Sequence, residues 1–496
     1  MIRTISVSYI ALQLAIGLLV YWRQRSRTSD DYVVARGSMG MLVLGGTLAA
    51  TQLSSGVALG DVAWTSAYGI GYYFIVWPFL WLGYWLSAKW VARKMLAFGN
   101  SSGATTIPDV LAARYDSQRL VRFSSALIIV LAFTFSFSVQ IRAAAHVLGT
   151  LFGISSGWAI IVTIVVSLIY TSIGGLRGIA YNDLLHIGLF VVTFGIGAVL
   201  AVQSAGGVEQ VTSNLQAQDA SLLNLSGSHG LGFWALIGLG LSLTLQFICY
   251  PIDTMKFYSA KSRRHLLHGI GIGFIFQALV ALAVITLGLA GRVLYPDWTV
   301  TQYDEIVPTL AMDKLPPVIG GLVIAVVLGA IMAVSSSIYL TAGSAIANDL
   351  YIPLTGRVLT EGNKLLATRL GVLVVAAAGA GLSVVDLGSM ATVINNVVQV
   401  LAASFAVTML FGLASRKPNR SGAILSMIGG AVGVTIWILI GRPWGLAPSF
   451  LGFALSIVGM AVGVCLGRPV SERHLSLFFP EVFKNPSPEQ TGHQRQ

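Results

Sequence analysis

The chain has 496 residues, 55% of them hydrophobic and only 10% charged, with 55 glycines and a mean hydropathy of +0.79. That balance excludes an ordinary soluble domain and describes a polytopic membrane protein. A net charge of +11 in a soluble chain would suggest nucleic acid, but here the basic residues lie along short loops, where they set topology, so nucleic acid is excluded as a partner.

A helix crossing a hydrocarbon core of roughly 30 Å needs about 20 apolar residues. Thirteen such segments run in chain order, at 6–22, 41–60, 68–92, 122–149, 156–173, 179–203, 231–255, 267–291, 317–343, 366–385, 391–413, 421–440 and 447–467. The pattern predicts an all-α protein with one transmembrane domain over 1–467, seated in the lipid bilayer of a cell inner membrane, and a short disordered tail over 468–496. Cytoplasmic loops collect Lys and Arg. With the N-terminus outside and the C-terminus inside, most basic residues fall on the inner side, among them Arg36, Lys94, Arg122, Arg177, Lys256 and Arg264; Arg3, Arg292, Lys314 and Arg442 fall outside. The first segment follows Arg3 without a small-residue cleavage site and reads as a retained helix. Cys249 and Cys465 form no metal or disulfide pattern. Neither the loops nor the tail carry a metalloprotease, nucleophile-elbow or phosphate-loop signature, so the chain reads as no enzyme.

Polar groups inside apolar spans are the next signal, because each must face a cavity or a partner. The second span holds Thr47, Thr51, Gln52, Ser54 and Ser55 between glycines, with Gly56 and then Asp61. It reads either as a broken helix whose freed backbone groups face ligands or as a small-residue packing face. The fourth span gathers Ser136, Ser138, Gln140, Arg142 and His146, the sixth Asp183 and His186. In the seventh, Gln246 to Asp253 encloses Pro251, which removes a backbone donor and predicts a second interruption or a kink near the inner surface. The ninth ends Ser335-Ser336-Ser337 ahead of Asp349-Leu350-Tyr351.

Four motifs in order carry a family resemblance: Ser29-Asp30-Asp31-Tyr32 through Arg36-Gly37, Thr106-Ile107-Pro108-Asp109 through Arg114-Tyr115, Gly174-Gly175 through Asp183, and Gly329 through Asp349-Leu350-Tyr351. Together with the thirteen segments they resemble the sodium:solute symporter family. The resemblance implies a LeuT-like core over 41–413, five helices plus five of inverted topology. It implies a secondary transporter importing a small polar solute by alternating access. Carried over residue by residue, the shared sodium site falls on the carbonyls of Ala50, Leu53 and Ala330, but its two hydroxyl positions fall on Ala333 and Val334, so that site is degraded. A second position falls on Asp183, Ser336 and Ser337, where Asp183 either binds sodium or carries a proton. The solute contacts implied are Gln52, Ser54, Ser55 and Gly56 on the first broken helix, Ser136 and Gln140 opposite, and Gln246 and Tyr250 on the second. Asp61 and Arg142 either pair as an outer gate, form a fixed ion pair, or leave Arg142 to hold a solute carboxylate. Other readings are a proton-coupled or uncoupled carrier, and a solute sensor that does not transport.

Overall fold

The computed structural model describes residues 1–23, 32–225, 229–299, 302–357, 359–385 and 387–479. Ser29, Asp30 and Asp31 of the first motif, and residues 480–496 of the tail, lie outside the described residues. Each of the thirteen apolar segments folds as helix, as hydrocarbon requires of a chain whose backbone groups must be paired internally. Among the described residues, ten helices are long and apolar enough to cross a bilayer, and Met41–Gln52 with Gly56–Tyr68 passes jointly as a pair bent by 62°. The remaining two segments are less regular. Gly71–Leu86 carries Pro78 and runs through a wider π turn at Ser87–Val91 into Ala92–Ser102, and Ser156–Ile169 is a shorter apolar helix. Large apolar side chains such as Leu131, Val199, Leu282, Val374 and Leu466 stand exposed on the helix faces, as expected of a surface solvated by lipid.

Two pairs of motifs, distant in sequence, meet and fix the frame around the site. Gly175 breaks the long helical stretch Ser156–Ser204 with φ 52° and ψ −164°, a conformation only glycine adopts without strain. A Cβ placed there would lie 2.8 Å from the Tyr32 ring and 2.9 Å from its carbonyl, so the glycine-pair motif receives the first inner-loop motif directly. On the other pair, Thr106 and Asp109 form a reciprocal cap at the start of Ile107–Arg114. Arg122 then bonds Asp109 and, through Nε at 2.8 Å, Asp349, whose other oxygen accepts from Thr106 Oγ1 at 3.1 Å. Next to this cluster the fully buried Arg114 donates to the carbonyls of Gly412 and Ser415, closing the C-terminal end of Met390–Ala414.

The helices Arg420–Leu439 and Ser449–Leu466 close the bundle through small residues: a Cβ on Gly430 would sit 2.3 Å from the Ala403 carbonyl. The tail departs from the disordered reading at its start. Glu472–Phe478 is a helix, with Leu475 buried and Phe478 stacked on Phe98 at 4.3 Å between ring centroids. These apolar side chains sit among polar neighbours, where hydropathy alone does not register a docking helix.

Gly175→Ala should lower the thermal midpoint in detergent micelles by the equivalent of about 1–3 kcal/mol, the cost of holding an alanine in a glycine-only conformation against Tyr32. Arg122→Ala leaves Asp349 buried without its cationic partner, with only the Thr106 hydroxyl bonded to it, and should cost about 3 kcal/mol or more in the same assay, whereas Arg122→Lys should recover part of the loss.

Candidate substrate cavity and cation position

The first break is built by backbone bookkeeping around Leu53. Helix Met41–Gln52 ends because Leu53 turns to φ −80°, ψ 71°, and its amide bonds the carbonyl of Ala50 at 3.1 Å. The Ala49 carbonyl, left without its usual partner four residues on, accepts from Gln277 Nε2 at 2.7 Å. Ser54 then bonds back to Gln52 O at 3.0 Å, its Oγ accepts from the Gly56 amide at 3.0 Å, and the chain resumes helix in a π turn at Gly56–Asp61. Gly56 and Gly60 lie tight against Met390–Ala414: a Cβ on either would come within 3.0 Å of Ile394 or Ala391. The second interruption follows from Pro251. Phe233–Cys249 ends, Tyr250 is extended at φ −72°, ψ 121°, and Pro251 opens the short helix Pro251–Phe257 at its first position.

One side chain joins the two breaks. Gln52 donates Nε2 to Asp253 Oδ2 at 2.9 Å and accepts from Gln246 Nε2 at 3.5 Å, so the ends of both interrupted helices face each other. Beside this contact lies a partly open cavity. Of the residues singled out from sequence, Gln52, Ser54, Gly56, Asp61, Ser136, Gln246 and Tyr250 line it. Ser55 and Gln140 do not; the buried Ser55 amide donates to Gln140 Oε1 at 3.2 Å, which makes Gln140 a support of the break. Arg142 points elsewhere, donating to the carbonyls of Gly388 at 2.6 Å and Val385 at 3.4 Å, while Asp61 accepts from Tyr72 at 3.3 Å. His146 faces Glu305 at 3.2 Å and His186 packs against the Tyr9 hydroxyl at 2.7 Å. Tyr72, Trp77, Gln277 and Asn395 also line it and were not singled out from sequence: Tyr72 and Trp77 sit in an aromatic-rich apolar run, Gln277 is a single amide in an apolar helix, and Asn395 is one of several polar residues on its helix.

The cation ligands implied by the family resemblance divide differently. The Ala50 carbonyl lies at the break, and Ala330 is fully buried in the continuous helix Pro317–Ser344, with Val334 lining the cavity and Ala333 buried beside it. Ser336 bonds back to Met332 O at 2.8 Å, and Ser337 Oγ has no hydrogen-bond partner among the described residues. Asp183, buried, accepts from Thr47 Oγ1 at 2.5 Å, and its hydrogen-bond partners include neither Ser336 nor Ser337. Its second partner is Lys256, with Nζ 3.4 Å from Asp183 Oδ2.

Lys256 corrects the reading from loop charges. It was counted with the inner-side basic residues, yet its side chain is 0% exposed and donates to Thr47 O at 2.9 Å and to Thr51 Oγ1 as well as to Asp183. The signal available in sequence was an Asp and a Lys three residues apart just past Pro251, a spacing that puts Asp253 and Lys256 on one helical turn. Loop-charge counting missed it because the second break carries the turn inward, into the protein.

The profile of the sodium:solute symporter family matches residues 32–430. The sodium/proline symporter of Escherichia coli (strain K12) is 27% identical over 472 residues, covering 93% of this chain and 92% of that protein. The sodium/pantothenate symporter of the same organism is 27% identical over 485 residues, covering 94% and 96%. Among solved structures, the substrate-bound outward-open state of a sodium-coupled sialic acid symporter superposes with a TM-score of 0.79 at 18% identity, covering 95% of this chain and 99% of that one, which establishes a LeuT-like fold. With a membrane-embedded helical bundle, paired helix breaks and a family match across most of its length, the chain belongs to the sodium:solute symporter family.

Proposed function

We propose that this integral membrane transporter imports a small polar solute by alternating access, driven by a downhill cation, with its N-terminus outside and its C-terminus in the cytoplasm. The observation that carries the reading is the Gln246–Gln52–Asp253 contact, which places two interrupted helices around one polar-lined cavity. Amide and hydroxyl groups from both breaks supply donors and acceptors, and Tyr72, Trp77 and Tyr250 supply apolar walls. Asp61 is the charged residue among those lining the cavity, and its carboxylate, steadied by Tyr72, suits the amino group of a small solute. The proline and pantothenate symporters set a size range for that solute without fixing its identity.

For the ion, the family supports sodium, with the carbonyls of Ala50, Leu53 and Ala330 as ligands, whereas Asp183 bonds Thr47 and Lys256 and does not join Ser336 and Ser337 in a second set in this conformation. A second reading, proton coupling, is favoured by the ammonium of Lys256 standing against Asp183. In either case the cation must bind the two conformations with different affinity, since otherwise its gradient shifts no equilibrium.

Uptake into proteoliposomes of labelled proline, pantothenate and a panel of small amino acids, under an inward sodium gradient, an inward proton gradient or neither, tests the reading. Accumulation above equilibrium is expected with one gradient, and binding without uptake of any solute would replace the transporter with a sensor. For whichever amino solute is taken up, Asp61→Asn should weaken binding by about 10- to 100-fold, the loss of one charge-assisted hydrogen bond, while leaving the folded yield unchanged.

A further inference from the structure

A lysine ammonium is strongly hydrated, and burying one costs several kcal/mol unless its protons are all placed. Lys256 meets that condition with three oxygens of three kinds: the Thr47 carbonyl at 2.9 Å, the Thr51 hydroxyl, and the Asp183 carboxylate at 3.4 Å. Carbonyl, hydroxyl and carboxylate oxygens converging on one point are the donor set a small hard cation takes. Thr47 and Thr51 lie one turn apart at the end of the first broken helix, Asp183 lies beyond the Gly175 break, and Lys256 reaches them from the turn after Pro251. The ammonium therefore stands where three interrupted elements meet.

We propose that Lys256 is a tethered cation: its ammonium holds the position facing Asp183 that a coupling sodium would otherwise take, so a side chain of the protein itself decides which ion this carrier accepts there. The proposal rests on the transporter reading only in calling that position a coupling site. Two observations extend it. Sodium entering beside the ammonium would place two positive charges on the same oxygens, which excludes it while Lys256 stays seated. One turn before Lys256, Asp253 is hydrogen-bonded to Gln52, which borders the cavity, so a displacement of the Pro251–Phe257 turn moves the ammonium and a cavity-lining amide together. The solute side and the cation side thus share one rigid turn.

The test needs no solute. Purified full-length protein in detergent micelles is titrated with sodium chloride against choline chloride at equal ionic strength, reading the thermal midpoint. The wild type should show no sodium response that depends on Asp183, so wild type and Asp183→Asn should respond alike. Lys256→Met should gain a saturable sodium stabilisation of several degrees, because a ligand bound only to the folded state stabilises it in proportion to the logarithm of its concentration. Lys256→Met combined with Asp183→Asn, in which both charges are removed, should fold and lose that response. Lys256→Gln serves as the second single variant should the methionine variant not fold. Radioactive sodium binding to the wild type that disappears in Asp183→Asn would overturn the proposal, as would a folded Lys256 variant with no sodium response. Absence of solute uptake in the proteoliposome assay would sink the transport reading and leave these cation titrations intact, so the two failures are distinguishable.

Discussion

Backbone polar groups released inside a hydrocarbon slab have to be paired by something other than water, and this constraint organises the centre of the molecule. At the first break the Ala49 carbonyl is taken by Gln277, the Ser54 hydroxyl holds the Gly56 amide, and the Ser55 amide is held by Gln140. The carbonyl of Thr47 carries an additional bond from Lys256. Each of these partners comes from a different helix or from the break itself. The interruption is therefore a tertiary object, stable only while the surrounding helices stay docked, and the polar cavity exists because the break does.

The charged residues follow the same logic. Asp183, Asp253 and Lys256 are all buried, and an isolated charge there would be prohibitive. Lys256 spreads its three protons over Thr47, Thr51 and Asp183, and Asp253 takes the Gln52 amide. One cation and two carboxylates leave a surplus of negative charge beside the cavity when both carboxylates are ionised. The hydrogen bonds of this neighbourhood run to both interrupted helices.

Away from the centre, the motifs that stand far apart along the chain act as pairs. Tyr32 packs over Gly175, and Arg122 ties Asp109 to Asp349 across 240 residues of sequence. These contacts are short-range and geometrically exacting, and they tie together segments on either side of the helices that carry Asp183 and Asp349.

Sequence by itself determined the membrane class and the helical segments and marked the glycine-flanked polar stretch and Pro251 as places where a helix either breaks or only packs closely or kinks, because long apolar runs, glycines and an internal proline are local properties with local physical consequences. The structure decided that both helices break. Sequence also named most of the polar residues lining the cavity: Gln52, Ser54, Ser136, Gln246 and Tyr250 betray themselves as polar groups near the breaks or within an apolar span. What only the tertiary structure decided is which of those groups face one another. It turned Gln140 into a backbone support and sent Arg142 to the carbonyls of Val385 and Gly388. It also carried Lys256 from an expected cytoplasmic surface to the side of Asp183. A charge near the end of an apolar run looks the same in sequence whether it faces water or an interior carboxylate. The difference is made by the direction the chain takes after Pro251, and that direction is set by packing against the first broken helix, far away in sequence.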